Sequence, residues 1–295
     1  MVGTLLHTAS GPYQFSWHLH PDVVLLSIFL LVGYFYAITQ LRDVVSDAGR
    51  VKRSQIILYC SGVATMYLVA GTPVHDISEQ YLLTAHMFQH TVFIMVSAPL
   101  LLAGIPAWMW QAVLRQRGML RTGKVLTHPV VAFGIFNALQ VVTHLPEVMN
   151  FTLNTHWFHL FVHIGLVASA MLMWWPVLST VPELPRLTPP LRMAYLFVQS
   201  LIPTVVAAFV TFADGAVYSF YTAAPRLWGL SPVEDQQIAG GIMKLFGSVI
   251  LWSFMTVIFF QWFYKEERES AMPPWSEIEE ELETMGLTTS SNRLS

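Results

Sequence analysis

Seven long apolar stretches, separated by short polar segments, organise this chain of 295 residues: about 23–41, 55–72, 81–103, 129–145, 157–178, 191–213 and 237–264. A helix advances about 1.5 Å per residue, so each stretch approaches the roughly 20 residues needed to cross the hydrocarbon of a bilayer. No ten-residue alternation of apolar and polar positions is visible, and the stretches are helices rather than barrel strands, because a spanning helix satisfies its own backbone hydrogen bonds. The expected fold is therefore all-α, a polytopic membrane bundle of seven transmembrane helices. It divides into a membrane domain, 1–264, and an acidic tail, 265–295.

Composition supports the lipid reading. Hydrophobic residues make up 54% of the chain and charged residues only 11%, well below the charge density of a soluble domain. Basic residues favour the cytoplasmic side of short loops. Arg42, Arg50, Lys52 and Arg53, then Arg115, Arg117, Arg121 and Lys124, then Arg186 and Arg192, then Lys265, Arg268 and Arg293 all fall on one side of a seven-span topology. The opposite side shows only Arg226, so the N-terminus is expected outside and the C-terminus in the cytoplasm. The first span has no basic segment before it and reads as a retained helix. Nucleic-acid binding is excluded by the slightly negative net charge of −3 and the dispersal of the basic residues. With Cys60 alone, the chain builds neither a disulfide framework nor a CxxC metal site. The glutamate-rich tail reads as a solvated extension without chemistry of its own.

The topology gives the histidines their meaning. Of eleven, only His128 falls on the cytoplasmic side, while His7, His18, His20, His75, His86, His90, His144, His156, His159 and His163 gather at or beneath the outer face. His86 and His90 are four apart and share one helix face. His156, His159 and His163 follow the same logic on the fifth span, and Asn137, Gln140 and His144 on the fourth. Polar side chains in hydrocarbon are costly without partners, so such stripes are expected to face the bundle interior and mark a site. Neutral imidazole suits copper, zinc, iron and nickel, and the thioethers of Met87 and Met95 beside the His pair would add a preference for cuprous ion. No H-E-x-x-H motif is present, which removes the zinc-protease reading.

Other signals are structural. Pro99 and Pro203 are expected to kink their spans, Gly104-Ile105-Pro106 to end the third, and Gly240-Gly241 to permit close helix contact. Trp108, Trp110, Trp157, Trp174, Trp175, Trp228, Trp252 and Trp262 are expected to form an interfacial aromatic belt.

AHMFQH followed by SAPLLLAGIPAW, THLPEVMN, the His156–His159–His163 series leading into MLMWWPVL, and Tyr218 and Tyr221 ahead of EDQQIAGGIMK occur in one order. In this the chain resembles the CtaG family of cytochrome c oxidase assembly factors, from about residue 17 to 264. The resemblance implies a multi-pass protein of the bacterial plasma membrane that serves assembly of a caa-type oxidase, contacts oxidase subunits, handles copper and is not an enzyme. The family's motif histidines fall on His86, His90, His144, His159 and His163, with His156, Met87, His18 and His20 as outlying members. Its acidic element falls on Asp235, Gln236, Gly240 and Gly241. Lys244 departs from the family pattern, which has an aromatic residue there, and a cation at that point would disfavour a bound metal nearby. Two alternatives stand beside the copper reading: a scaffold that grips an oxidase subunit without metal, and a b-type haem protein with axial histidines from the third and fifth spans. A transporter is disfavoured by the lack of polar residues in the inner halves of the spans.

Overall fold

In lipid the backbone has no solvent to bond to, and the apolar stretches of this chain fold accordingly into helices, with no strand among the described residues. The computed structural model describes residues 17–285, apart from 43, 44, 46, 47 and 271–274. His7 and Arg293 lie outside the described residues. Five helices are long and apolar enough to cross a membrane, and up to seven spans result if each of two bent helix pairs counts as one.

The first span, α1 (Pro21–Tyr36), continues through a π-helical turn to Leu41. Helix α2 (Arg53–Ala70) bends by 52° into the short polar α3 (Pro73–Gln80), which the sequence pattern had left as loop. The next span, Leu83–Gly104, holds α4 (Leu83–Val92), a π-helical turn (Phe93–Ser97) and α5 (Ala98–Gly104). The apolar α6 (Ala107–Leu114) and amphipathic α7 (Met119–Leu126) follow, and α7 meets α8 (Pro129–Thr143) at 69°. Then come α9 (Pro146–Asn154), α10 (His156–Leu178), α11 (Pro189–Gln199), α12 (Leu201–Phe212), α13 (Ser219–Ala223), α14 (Pro232–Ser270) and α15 (Trp275–Thr284). Helix α14 runs 39 residues, well past residue 264 and into the acidic segment.

The span that carries His86 and His90 is the central one, 78% buried, with α2, α10 and α14 packed around it. Its π turn has a local cause. Pro99 has no N–H, and the N–H of Ala98 reaches back to Phe93 O, so Ile94 O is left without a helical partner. The indole of Trp174 on α10 donates to that carbonyl at 2.9 Å. Trp174 is fully buried, and Trp175, buried beside it, donates to Leu184 O at 3.1 Å. These two, with buried Trp108, are core residues and not members of an interfacial belt, whereas Trp157, Trp228 and Trp252 are exposed.

Two glycines allow helices to touch. A Cβ on Gly104 would sit 2.5 Å from Tyr59 N on α2, and one on Gly240 would collide with Thr211 on α12 and lie 2.9 Å from Ala207 O. Gly241 faces open space, so the close-contact role belongs to Gly240 alone. Lys244 donates to Thr204 Oγ1 at 2.5 Å, which ties α14 to α12.

Candidate metal centre

Helix α4 starts where it does because of a residue 152 positions away. Asp235, buried in the first turn of α14, accepts from Leu83 N at 2.8 Å and Thr84 N at 2.9 Å, while Thr84 Oγ1 donates to Asp235 O at 2.9 Å. A carboxylate on the free N–H groups of a helix start is favoured by both hydrogen bonding and the helix dipole. The sequence pattern put Asp235 among loop acids; the structure makes it a remote cap. Its neighbour Gln236 accepts from Val217 N at 2.7 Å and donates to Gly215 O at 3.2 Å, which fixes the loop leading to Tyr218 and Tyr221.

One turn into α4, His86 and His90 face α10, and four imidazoles converge: His86, His90, His159 and His163 each offer a nitrogen within 4.8 Å of the others. The ring centroids are 4.2 Å apart for His86–His90, 4.2 Å for His159–His163, 5.0 Å for His90–His163 and 5.4 Å for His86–His159. His90 Nε2 and His163 Nε2 approach to 3.0 Å. Both nitrogens of His86, Nδ1 of His90 and Nε2 of His159 are buried without a hydrogen-bond partner. Buried polar atoms in a native protein are normally paired, so four orphaned ring nitrogens in one cluster call for an occupant. A cation that prefers nitrogen ligands would take one nitrogen from each of the four rings. Around an ion with metal–nitrogen bonds of about 2.0–2.1 Å, tetrahedral ligands lie about 3.3 Å apart, so the four rings need only close in slightly.

A polar shell holds one of these rings. Glu79 on α3 accepts from His159 Nδ1 at 2.8 Å, which leaves Nε2 for the centre, and the same oxygen lies 3.1 Å from His75 Nε2. His75 Nδ1 meets Gln89 Nε2 at 3.2 Å, and Ser78 Oγ donates to Gln89 Oε1 at 2.8 Å. Tyr221 donates to Ser78 O at 2.6 Å with its ring over His86, centroids 6.3 Å apart. This is the arrangement by which a second layer fixes the tautomer and direction of metal-ligating histidines. Sequence reasoning passed over Glu79 as a loop acid; its one signal was the i, i+4 spacing with His75 in a polar segment.

The other candidate residues lie elsewhere. His144 caps α8, its Nδ1 2.7 Å from Gln140 O and its own carbonyl accepting from Tyr218 OH at 3.0 Å, outside the group of four. His156 is exposed at the start of α10 and faces Asp22 at 3.6 Å. Met87 is fully buried in an apolar cluster with Leu83, Met149, Val210, Tyr218 and Tyr221, so it packs there with its neighbours. Met95 belongs to the main hydrophobic core. Asn137 on the α8 stripe donates to Gln199 Oε1 at 3.2 Å, a helix-to-helix tie. Ahead of α1, His20 lies 3.3 Å from Asp76; the hydrogen bond to that carboxylate, outweighing burial, raises the imidazole above its ordinary pKa.

Comparison with known proteins fits this arrangement. The family model described as cytochrome c oxidase caa3 assembly factor (Caa3_CtaG) matches residues 32–265. The chain belongs to this family. It is also similar to the uncharacterized proteins Mb0105 of Mycobacterium bovis and MT0111 of Mycobacterium tuberculosis, each 23% identical over 242 residues. Those matches cover 77% of this chain but 36% of the relatives, so the chain spans little more than a third of their length. No solved structure matches it. Within the Caa3_CtaG match lie all four converging histidines, their partner Glu79 and the Asp235 cap.

Proposed function

We propose that this assembly factor holds a copper ion at His86, His90, His159 and His163 and delivers it to a cytochrome c oxidase subunit under construction. The observation that carries the reading is the convergence of four imidazoles whose ligand nitrogens lie within 4.8 Å of one another, with buried ring nitrogens of His86, His90 and His159 left unpartnered. Copper is favoured because the centre offers only neutral nitrogen donors, with a single carboxylate, Glu79, one ring away to offset its charge. Calcium or magnesium would need oxygen ligands that these rings do not supply.

The site sits in the plasma membrane in a chain that crosses seven times, N-terminus outside, each bent helix pair serving as one span. The bias of thirteen basic residues to one side supports this orientation. The four histidines then open toward the side where an oxidase copper centre is built. Binding and release are the protein's task, and no chemical transformation of a substrate is assigned to it. A b-type haem fits less well: with His90 Nε2 and His163 Nε2 3.0 Å apart, a porphyrin has no slot between facing rings.

The test is elemental analysis of the detergent-purified protein after exposure to copper under reducing conditions. Wild type is expected to retain copper that the His86→Ala/His90→Ala variant loses. Equal retention in the two would sink the site and leave the metal-free scaffold as the better account.

A further inference from the structure

The four-histidine centre is buried, and a cation cannot cross apolar packing unaided. A chain of side chains leads to it from the surface. His18 and His20, in the segment ahead of α1, converge on Asp76 of α3: His18 Nδ1 lies 2.9 Å from Asp76 Oδ2, and His20 Nε2 lies 3.3 Å from Asp76 Oδ1. The side chain of His18 is 52% exposed, that of His20 18% and that of Asp76 7%, so donor atoms run from water into the protein. Behind them, His20 packs edge-on against His75 at 4.6 Å, His75 meets Glu79 at 3.1 Å, and Glu79 meets His159 at 2.8 Å. Imidazoles and carboxylates thus form a continuous series from His18 to a member of the centre without a gap wider than ring contact.

We propose that His18, His20 and Asp76 form a second, entry site for a transition-metal cation, from which ligand exchange past His75 and Glu79 loads the four-histidine centre. This rests on the metal-holding reading of that centre. Three features support it. His18 and His20 each face one oxygen of the same carboxylate, so two imidazoles and both carboxylate oxygens are already gathered where an ion would displace the shared protons. The donor set mixes nitrogen with oxygen, so it holds such an ion less tightly than four imidazoles do, which gives transfer a downhill direction. Each stage has a carboxylate, Asp76 and then Glu79, so the ion never moves inward without a compensating charge. The ion keeps its oxidation state throughout, because each step only exchanges one nitrogen or oxygen ligand for the next.

Two measurements test this, and they separate the entry site from the centre. In the first, stopped-flow loading of cuprous ion from a chromogenic chelator is compared for wild type, His18→Ala/His20→Ala and Asp76→Asn, all as full chain in detergent. Charged entry sites raise association rates by about 10- to 1000-fold, so loading in Asp76→Asn should slow at least about tenfold, and His18→Ala/His20→Ala should slow it through loss of two ligands, while final copper content in both stays at the wild-type level. Unchanged rates would overturn the proposal. Loss of the final copper content would also overturn it, since these residues would then support the centre and not feed it. In the second, one equivalent of cupric ion is added to the His86→Ala/His90→Ala protein and read by electron paramagnetic resonance. A signal with imidazole nitrogen coupling that Asp76→Asn removes is expected; a signal indifferent to Asp76 would overturn the entry site. If wild type and His86→Ala/His90→Ala hold equal copper while the Asp76-dependent signal persists, the reading of the centre fails and the outer site stands.

Discussion

Replacing Glu79 by glutamine removes one negative charge from the polar shell and changes little else in size. Glu79 Oε1 accepts from His159 Nδ1 at 2.8 Å and lies 3.1 Å from His75 Nε2, so both imidazoles are directed by the same oxygen. Through the His159 ring, that carboxylate would stand about 7 Å from an ion on Nε2, and at an effective dielectric of about 20 the attraction is about 2 kcal/mol. Because each 1.4 kcal/mol is a factor of ten, Glu79→Gln should weaken binding by roughly 30-fold. Glutamine still has a carbonyl oxygen for His159, so ring direction survives and most of the loss is electrostatic. Glu79→Ala removes the acceptor as well and should reach about 100-fold, the upper end of what losing such an outer partner costs. The assay is competition for cuprous ion against a chelator of known affinity, with thermal unfolding of the metal-free proteins run beside it. An affinity within twofold of wild type in both variants would refute the assignment of Glu79 as the charge-compensating partner. Wild-type affinity in Glu79→Gln beside a clear loss in Glu79→Ala would refute the electrostatic reasoning and leave orientation as its role.

Asp235→Ala removes the acceptor for two N–H groups at the start of α4 and should cost about 1–2 kcal/mol as a lost helix cap, with Asp235→Asn milder; thermal unfolding in detergent reads this directly. Gly240→Ala should destabilise the contact of α14 with α12 by about 1–3 kcal/mol through overpacking, whereas Gly241→Ala should leave the unfolding midpoint unchanged; equal effects would refute the packing assignment. Trp174→Phe leaves Ile94 O buried without its donor and should cost about 1–3 kcal/mol, and Pro99→Ala in the same chain should recover part of it by supplying an N–H to the π-helical turn. No recovery in the double variant would show that Pro99 is not what frees that carbonyl.

The apolar pattern located the long helices because lipid imposes one requirement, a helix of sufficient length, that composition alone can express. Helices α1, α8 and α10 begin and end within a few residues of their stretches. The pattern could not show α3, α7 or α9, whose polar and mixed segments read as loop, nor the division of the sixth stretch into α11 and α12 at Ser200. In the candidate site, spacing brought out His86 with His90 and His159 with His163, since i, i+4 places rings on one face in any helix. His144, His156 and Met87 lie outside that group of four, since sharing a helix face does not decide which direction that face points. It missed Glu79 and Asp235 for a different reason: both act across the fold, on residues 80 and 152 positions away, and local periodicity carries no information about partners at that range.

The motif residues of this chain divide into two physical jobs. His86, His90 and His159 present ring nitrogens with nothing protein-borne to bond to, and His163 Nε2 meets only His90 Nε2, which is a liability unless something else occupies the space between the rings. Asp235, Gln236 and Gly240 present nothing to that space; they cap α4, hold the loop before Tyr218, and let α14 lie against α12. The second group sets the start of α4 and therefore the height and rotation of His86 one turn later. It follows that substitutions in the EDQQIAGG segment should weaken metal retention only to the extent that they loosen α4, in step with the loss of thermal stability. Histidine substitutions should abolish retention with the fold intact. Retention and unfolding midpoint, plotted together for both sets, should fall on two separate lines. A single common line would mean that the four histidines are structural and that the cluster has no occupant to hold.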